Sequence, residues 1–325
     1  MIRVLGFLLL LSACPAMAFD LQGHRGARGL APENTLPAFA KALSLGVTTL
    51  ELDVGVTKDD VVVVMHDRRL NPDVVRGPDG AWLTASGPAI RDLSFSELSR
   101  YDVGRLKPGS RYAQGFPDQT PVDGARVPRL AEVFALAAKA GNASVRFNIE
   151  TKISPLAPAE TLAPEPFARA LVAEIRKAGM TSRATIQSFD WRTLTVVQAE
   201  APEIVTVYLS QAKGAGDTVE IGKPGASPWL AGLDADDHGG SVPRMVKALG
   251  GRVWSPNSAD VDEASLKEAK ALGLTVIPWT VNDEAAMRRL VQLGVDGLIS
   301  DYPDRLRKVL GDLGVVLPAP TAVLP

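Results

Sequence analysis

Strand-like apolar runs alternate with amphipathic helical patterns along most of the chain. Eight segments have the length and apolar or β-branched content of strands: Asp20–Arg25, Thr48–Val56, Val145–Thr151, Ala184–Phe189, Ile204–Leu209, Arg252–Ser255, Leu274–Thr280 and Gly297–Ser300. Eight further segments repeat apolar residues with the period of a helix: Thr35–Leu45, Leu130–Ala140, Phe167–Ala178, Trp191–Ala199, Val242–Leu249, Glu263–Leu272, Glu284–Leu293 and Pro303–Leu310. Because eight alternating strand–helix units imply a closed parallel sheet, the pattern predicts an α/β fold, a (β/α)8 TIM barrel.

A ninth β-forming run, Val61–Met65, interrupts this alternation. Only Thr57–Asp60 separate it from the end of the second predicted strand, which is too short for the crossover that a parallel pair requires. We therefore expect a β-hairpin extension of that strand, with the chain turning back antiparallel. The return would bring His66 toward the barrel rim, near Asp53.

Residues 68–127 follow the hairpin and also depart from the alternation. They are rich in Gly, Pro, Asp and Arg, and their one short helical signal has Ser94 and Glu97 spaced as a capping box. We interpret them as a rim insertion in a single domain, residues 19–325. Without this segment and the first 18 residues, roughly 250 residues remain, the usual size of such a barrel. The tail after Gly314 is expected to pack loosely.

Residues 1–18 have the pattern of a secretory signal peptide. One positive charge precedes a short apolar run, and Ala16-Met17-Ala18 forms a small-x-small cleavage site. A competing interpretation is a lipobox at Leu11–Cys14, with Cys14 lipidated as the first mature residue. The short tether that would follow Cys14 favours cleavage after Ala18 instead. Either interpretation predicts an exported protein, periplasmic or secreted, without a stable membrane span.

Composition narrows the function classes. The chain of 325 residues has 35 Lys and Arg against 37 Asp and Glu, a net charge of −2, which argues against a nucleic-acid partner. The single cysteine, Cys14, excludes an intramolecular disulfide and multi-cysteine zinc sites. Imidazole chemistry depends on three residues, His24, His66 and His238.

Polar residues alternate with apolar ones in two of the predicted strands. Glu51 and Asp53 share one face of the second strand, and Glu150 shares a face of the third with Lys152. Alternation alone also fits a half-exposed antiparallel strand. In a barrel, however, these faces point inward, and buried carboxylates need a compensating cation. Glu51, Asp53 and Glu150 are therefore a candidate oxygen-only site for a hard divalent cation.

The histidines are candidates for acid–base chemistry. His24 follows the first strand in Gly23-His24-Arg25-Gly26, where the glycines indicate a tight backbone around a site. This segment lacks the G-x-G-x-x-G fingerprint, which excludes a nicotinamide cofactor of that type. His66 lies at the end of the hairpin. Each histidine alone is weak evidence, but two near a cation are the minimum set for a general acid and a general base.

Three further residues have a predicted place at this site. Arg25 and Lys152, taken separately, are more often solvated charges, but beside two histidines and a cation they suit a phosphate anion. Trp279, at the end of the seventh strand, has the character of a core residue, and its rim position also suits the wall of a substrate pocket.

An ordered set of motifs extends from residue 20 to about residue 310. The motifs are His24-Arg25-Gly26, Pro32-Glu33-Asn34-Thr35, Glu51-Leu52-Asp53-Val54, Val63-Val64-Met65-His66-Asp67, Asn148-Ile149-Glu150-Thr151-Lys152, Gln187-Ser188-Phe189, Trp279-Thr280-Val281-Asn282 and Asp296-Gly297-Leu298-Ile299-Ser300-Asp301. This set resembles the glycerophosphodiester phosphodiesterase family, in its exported bacterial form. The family's fold is a (β/α)8 barrel with a rim insertion.

The resemblance implies a reaction and a set of roles. The substrate would be a glycerophosphodiester, hydrolysed to sn-glycerol 3-phosphate and an alcohol. Glu51, Asp53 and Glu150 would bind the cation, Ca²⁺ with Mg²⁺ as the alternative, and His24 and His66 would be the general acid and base, in an order that is left open. Arg25 and Lys152 would hold the phosphate, and Trp279 would line the alcohol pocket.

Three other functions are compatible with a barrel of this kind. A lipid-cleaving phospholipase D would need apolar rim loops, whereas the predicted insertion is polar. A catalytically inactive binding protein would lack a histidine or a carboxylate of the set, and all are present. A carbon–carbon lyase or an enolase-type enzyme would need a lysine in an apolar site, whereas Lys152 shares its face with Glu150.

Overall fold

The computed structural model describes residues 19–325. The predicted signal peptide, with its alternatives at Ala18 and Cys14, lies outside the described residues. The strands are β1 (Asp20–Gly23), β2 (Thr49–Val56), β3 (Val62–Val64), β4 (Arg146–Thr151), β5 (Ala184–Ser188), β6 (Val205–Ser210), β7 (Val253–Pro256), β8 (Thr275–Val276) and β9 (Gly297–Ser300). The α-helices are α1 (Leu36–Leu45), α2 (Phe95–Leu98), α3 (Arg111–Gln114), α4 (Leu130–Lys139), α5 (Pro164–Lys177), α6 (Trp191–Glu200), α7 (Val242–Ala248), α8 (Glu263–Ala271), α9 (Glu284–Leu293) and α10 (Pro303–Asp312).

Eight of the strands form a parallel barrel. Their order is β8-β7-β6-β5-β4-β2-β1-β9, and each neighbouring pair in this order is parallel. The ring closes between β8 and β9, where Asp296 N donates to Val276 O at 2.9 Å and Ile299 N donates to Pro278 O at 3.0 Å. The predicted (β/α)8 barrel is confirmed.

The hairpin predicted from the short Thr57–Asp60 link is also present. β3 pairs antiparallel with β2, with Val64 opposite Val54 and Val62 opposite Val56. One residue later, Met65 N donates to Asp53 O at 2.9 Å, so the chain returns to the rim beside Asp53. His66 is thereby delivered to the C-terminal mouth of the barrel, as expected.

Local sequence signals explain the burial of β2 and the two ends of α1. All eight residues of β2 are buried, as expected for a strand covered on both faces. The hydroxyl of Thr35 caps α1 by accepting from Ala38 N, and the helix ends at Gly46 in a left-handed conformation with φ +73°. The apolar face of α1, including Phe39 and Leu43, is buried against the barrel.

Residues 68–127 add no strand to the barrel and have a small core of their own. They contain α2, α3 and a short 3-10 turn at Ile90–Asp92. The predicted capping box of α2 is formed, with Ser94 N donating to Glu97 Oε2 at 2.8 Å. A separate apolar cluster joins the segment to the hairpin and includes Val63, Met65, Leu70, Val75, Ile90 and Leu98.

The C-terminal tail contacts the barrel at a few points, but every residue after Gly314 is half-buried or exposed. Thr321 N donates to Leu43 O at 2.9 Å, and Asn142 Nδ2 donates to Thr321 Oγ1 at 3.0 Å. The tail residues Leu317 and Val323 contact the main hydrophobic core. Val316 and Leu324 are 89% and 81% exposed, which agrees with the expected loosely packed extension. Within residues 19–325, none of the helices is both long enough and apolar enough to cross a membrane.

Candidate active site

Three buried carboxylates converge at the C-terminal mouth of the barrel. β2 and β4 pair so that Asp53 lies opposite Glu150, and Glu51 lies two residues earlier on the same face. One oxygen from each of Glu51, Asp53 and Glu150 lies within 4.8 Å of the others. The predicted grouping is present, and the half-exposed antiparallel alternative does not apply to these strands.

The electrostatics of the three carboxylates show why they would accept a cation. Burial, followed by repulsion from Asp53, raises the pKa of Glu51 well above its ordinary value. Burial also raises the pKa of Glu150, to about 7, although Lys152 opposes this. The pKa of Asp53 is pushed up by burial as well, yet His66 and Lys152 hold it below its ordinary value. An oxygen-only set that resists full ionisation fits a hard divalent cation.

His24 is fixed at the end of β1 by contacts on both sides. Its backbone N donates to Ser300 O at 2.9 Å, and its Nδ1 lies 2.6 Å from Asp301 Oδ1. The other ring nitrogen, Nε2, lies 3.9 Å from Glu51 Oε2. Burial lowers the pKa of His24, with Asp301 opposing that shift. The imidazole therefore presents Nε2 to the carboxylates and keeps Nδ1 on Asp301.

Asp301 is itself held by two other side chains. Arg28 donates to it from Nε and Nη2, both at 2.9 Å, and Asn282 Nδ2 donates to Oδ2 at 2.7 Å. Burial opposes ionisation of Asp301, but His24 and Arg28 hold its pKa below the ordinary value. An ionised carboxylate only accepts, so the Nδ1 of His24 is the donor in their contact.

The glycines around His24 form the tight backbone that the sequence indicated. Arg25 has φ +50° and Gly26 has φ +84°, both in the left-handed region. A Cβ on Gly23 would lie 2.1 Å from Gly26 O. This turn aims the backbone N of Arg25 at Glu51 Oε2, to which it donates at 2.8 Å.

Arg25 and Asn34 hold Asp53 from the side of α1. Arg25 Nη1 donates to Glu33 Oε1 at 2.7 Å, and its Nε lies 3.3 Å from Asp53 Oδ2. Asn34 Nδ2 donates to the same Asp53 oxygen at 2.8 Å. Tyr112, on α3, donates from its hydroxyl to Glu33. The Arg25 guanidinium is therefore a fixed charge between two carboxylates.

His66 and Lys152 complete the polar side of the site. His66 Nδ1 lies 2.8 Å from Asp67 Oδ1, and Asn71 Nδ2 holds the other Asp67 oxygen at 2.7 Å. Burial, with the charges of Arg25 and Lys152, lowers the pKa of His66 to about 4. Lys152 Nζ donates to Glu150 Oε1 at 2.7 Å and lies 3.7 Å from Asp53 Oδ1.

A cavity of about 180 Å³, the site cavity, opens over these groups. All of the side chains predicted for the site line it except Asp53, which does not reach its surface. Its apolar wall includes Phe189, Leu209, Trp279 and Ile299. Trp279 packs edge to face on Phe189, with ring centroids 5.2 Å apart, and Trp279 Nε1 donates to Ser255 O at 2.9 Å. The cavity thus has a charged side and an apolar side.

Several polar residues of the site were given no role in the sequence analysis. Gln187 Nε2 donates to Glu51 Oε1 at 2.7 Å, and Asn34 and Asp301 hold Asp53 and His24. These three belong to the quoted motifs, which was the available signal. Tyr112 lies in the insertion, where nothing in the local pattern pointed to the site.

Comparisons with known proteins give one consistent result. The model of the glycerophosphoryl diester phosphodiesterase family matches residues 24–305. The glycerophosphodiester phosphodiesterase of Bacillus subtilis (strain 168) is 28% identical over 295 residues, which cover 88% of this chain and 84% of that protein.

Two solved structures have the same fold. A protein from Silicibacter pomeroyi DSS-3 described as "Putative glycerophosphoryl diester phosphodiesterase" is 35% identical with a TM-score of 0.81, covering 92% of this chain and 95% of that chain. An Oleispira antarctica phosphodiesterase in complex with the product sn-glycerol-3-phosphate is 23% identical with a TM-score of 0.63, covering 89% and 96%. At that lower identity, the second similarity concerns the fold.

Proposed function

The chain belongs to the glycerophosphoryl diester phosphodiesterase family and is an enzyme of that class, and on this premise we propose that it hydrolyses glycerophosphodiesters with a divalent cation and two histidines. The products would be sn-glycerol 3-phosphate and the alcohol of the head group. The observation that carries the proposal is the convergence of His24, His66 and three carboxylates on one cavity that also has an apolar wall.

Glu51, Asp53 and Glu150 would hold the cation. Bound there, it would act as a Lewis acid and stabilise the negative charge that develops on the phosphoryl oxygens. We favour Ca²⁺, with Mg²⁺ as the alternative that oxygen ligands also accept. Gln187 and Asn34 orient two of the three carboxylates through hydrogen bonds of 2.7 Å and 2.8 Å, which supports a preformed ligand set.

The two histidines would move the protons. His24 is oriented through Nδ1 by Asp301, and His66 through Nδ1 by Asp67, so that each has its Nε2 free for substrate. One Nε2 accepts a proton from the nucleophile, which is water or the glycerol hydroxyl beside the phosphate. The other donates a proton to the departing alcohol oxygen.

The remaining site residues would bind and orient the substrate. Arg25 and Lys152 line the cavity in positions fixed by carboxylates, and their charges favour the phosphate anion there. Trp279 and Phe189 form an apolar wall of the cavity. The resemblance implies that Trp279 lines the alcohol pocket, whereas we propose that the carbon chain of glycerol packs there, because the cavity is small, about 180 Å³. Closing this side of the cavity to water strengthens the electrostatic interactions on the other side.

The proposal also includes export of the protein from the cytoplasm. We infer cleavage after Ala18 and a periplasmic or secreted enzyme, because the N-terminal pattern is that of a secretory signal. N-terminal sequencing of the protein from the producing cells would give Phe19 as the first residue. A lipidated Cys14 at the N-terminus would replace this assignment with a membrane anchor.

An assay with glycerophosphocholine tests the function. The purified protein should release choline and sn-glycerol 3-phosphate when Ca²⁺ or Mg²⁺ is present. Exhaustive dialysis against a chelator should abolish the release, and adding the cation back should restore it. Full activity in excess chelator would contradict the cation site, and binding of glycerophosphocholine without turnover would favour the inactive binding protein.

A further inference from the structure

A second cavity, of about 430 Å³, adjoins the site cavity. His66 and Lys152 line both cavities, so the His66 side chain is part of the wall that the two cavities share. The second cavity, which we call the rim pocket, is also lined by Arg68, Arg69, Ser86 and Glu160, together with Asp67, Asn71 and Pro72. It is formed by the start of the insertion and by the loop after β4. The function proposed above does not use it.

Two guanidinium groups of the rim pocket face a single carboxylate, that of Glu160. Arg68 donates from Nε to Glu160 Oε2 at 2.9 Å, and Arg69 Nη1 lies 3.9 Å from Glu160 Oε1, beyond hydrogen-bond distance. Glu160 is therefore shared by two guanidinium groups. Among residues 19–325, the Nη groups of Arg68 have no hydrogen-bond acceptor.

The other charges of the rim pocket have partners. Lys152 is bonded to Glu150, and Asp67 is bonded to His66 and Asn71. The hydrogen-bond donors of the rim pocket that can bind a ligand are thus those of the two arginines. The side chain of Arg68 is 32% exposed and that of Arg69 is 42% exposed.

The backbone holds both arginines in place. Arg68 O accepts from Ile90 N at 2.8 Å, and Arg69 forms a β-bridge with Ala89. Because this part of the insertion is anchored, the backbone of both arginines is fixed beside the pocket, and only their side chains have to be ordered on binding.

The two cavities suit different halves of a glycerophosphodiester. The site cavity is smaller and has an apolar wall, which fits the three-carbon glycerol arm. The rim pocket is larger and polar, which fits a head group leaving past His66. A quaternary ammonium head group is usually recognised by aromatic faces, and no Phe, Tyr or Trp is among the residues described around the rim pocket.

We propose that the rim pocket is a specificity subsite, in which Arg68 and Arg69 bind leaving alcohols that carry a carboxylate or a phosphate. This rests on the hydrolysis proposed above and names its preferred substrates. In that reaction the bond between phosphorus and the head-group oxygen breaks, the nucleophile's oxygen bonds to phosphorus, and the departing oxygen takes a proton from a histidine. The arginines pair with the anion of the head group and do not take part in proton transfer.

Measuring kcat/KM of the cation-loaded enzyme on four substrates with different head groups tests this proposal. Glycerophosphoserine carries a carboxylate beside an ammonium group, and bis(glycerophospho)glycerol carries a second phosphodiester on its leaving alcohol. Glycerophosphoglycerol has a neutral head group of similar polarity, and glycerophosphocholine has a cationic one. We expect kcat/KM to be higher for the two substrates whose head groups carry a carboxylate or a phosphodiester than for the other two, with the difference shrinking at high salt.

Substitutions of Arg68 and Arg69 test whether the head-group preference comes from the rim pocket. Arg68→Ala and Arg69→Ala should each lower kcat/KM for glycerophosphoserine and bis(glycerophospho)glycerol by about three- to tenfold and change the other two by less than about twofold. Arg69→Glu should reverse the preference between bis(glycerophospho)glycerol and glycerophosphocholine. Arg105→Ala is the matched control, because Arg105 lies in the same insertion but is paired with Asp123.

The results distinguish this subsite from the proposed function. Turnover of all four substrates, with no selective loss in the Arg68 and Arg69 variants, would overturn the subsite and leave the hydrolysis intact. A preference for glycerophosphoserine alone would identify the carboxylate as the ligand, and a preference for both glycerophosphoserine and bis(glycerophospho)glycerol would show that the arginines accept either anionic group. No turnover of any substrate by the unmodified enzyme would overturn the proposed function and the subsite together.

Discussion

His24 Nδ1 and Asp301 Oδ1 lie 2.6 Å apart, although the two residues are separated by 277 positions. The contact exists because β1 and β9 are parallel neighbours, with Gly23 opposite Ser300. The residue that follows each strand therefore arrives at the same point of the barrel mouth. Asp301 is in turn fixed by Arg28 and Asn282, so the orientation of one catalytic candidate depends on the opposite end of the chain.

Asp301→Asn should lower turnover by about 10²–10⁴-fold. An amide at this position has no negative charge, so it no longer stabilises the protonated imidazole of His24, a form that His24 takes in either role, as general acid or as general base. The measurement is kcat with glycerophosphocholine, and Asp312→Asn, an exposed aspartate on α10, is the control. Wild-type turnover in Asp301→Asn would show that Asp301 does not position His24.

The same substitution should have a pH-dependent effect on stability. The pKa of Asp301 lies below its ordinary value of 3.8, because His24 and Arg28 outweigh the effect of burial. Its ion pairs therefore stabilise the fold above pH 3.8, and this stabilisation is lost as the pH falls through the lower pKa of the folded state. At pH 7, Asp301→Asn should cost about 3–5 kcal/mol of the free energy of unfolding.

Urea unfolding between pH 3 and pH 7 measures this effect. The difference between the wild type and Asp301→Asn should be largest near neutral pH and should shrink below pH 3.8. A difference of constant size over the whole range would mean that the charge of Asp301 contributes nothing.

Cation affinity should fall as the pH is lowered through 7. Glu150 has a pKa raised to about 7 by burial, and the pKa of Glu51 is also raised, so a cation has to displace protons from these groups below that pH. Each proton displaced lowers the affinity by about tenfold per pH unit. Calorimetric titration with Ca²⁺ from pH 5.5 to 8 should show this slope.

Repeating the titration in two buffers with different ionisation enthalpies should reveal the released protons directly. Glu150→Gln should bind Ca²⁺ more weakly with a flatter pH dependence, whereas Glu165→Gln, at the exposed start of α5, should behave as the wild type. An affinity independent of pH would contradict the assignment of Glu150 as a ligand.

His24→Ala and His66→Ala should each lower turnover by about 10²–10⁴-fold. The two losses should not multiply, because both groups act in one proton-transfer cycle. A nitrophenyl phosphodiester needs little protonation of its leaving oxygen, so the variant that lacks the general acid should lose less activity on that substrate. This comparison identifies which histidine is the acid.

Cation affinity, measured alongside, should change little in either histidine variant. His238→Ala is the matched control, since His238 lies in a 3-10 turn away from the site cavity. If both histidine variants turn over glycerophosphocholine at the wild-type rate, the two-histidine mechanism is wrong.

Gly26→Ala should destabilise the fold more than Gly80→Ala. Both glycines have positive φ, +84° and +78°, but a Cβ on Gly26 would lie 2.7 Å from the carbonyl carbon of Ala38, whereas a Cβ on Gly80 would meet nothing within 4 Å. The shared conformational cost is about 1 kcal/mol, and the clash with α1 should bring the Gly26 variant to about 2–5 kcal/mol. Chemical denaturation measures the free energy of unfolding of both variants. Equal decreases would mean that the turn at Gly26 relaxes enough to accommodate the added methyl group.

The sequence by itself determined the order of the elements and the convergence of the carboxylates. Periodicity is a local property, so β2 and β4 were recognisable within a few residues of sequence. Inward faces follow from the strict alternation of side chains in a strand, and parallel neighbours end at the same rim. Glu51, Asp53 and Glu150 were therefore predicted together, and the short Thr57–Asp60 link placed His66 beside them.

Only the tertiary structure decided which polar groups hold these residues. The Asp301–His24 contact joins the first and last strands of the barrel, and Tyr112 reaches Glu33 from an insertion with no regular pattern. The pairing of Arg68 with Glu160 likewise depends on how two rim loops meet. Such contacts depend on the closure of the barrel and on the conformation of loops, and these arise from packing across the whole chain, which no local pattern of hydrophobic and polar residues encodes.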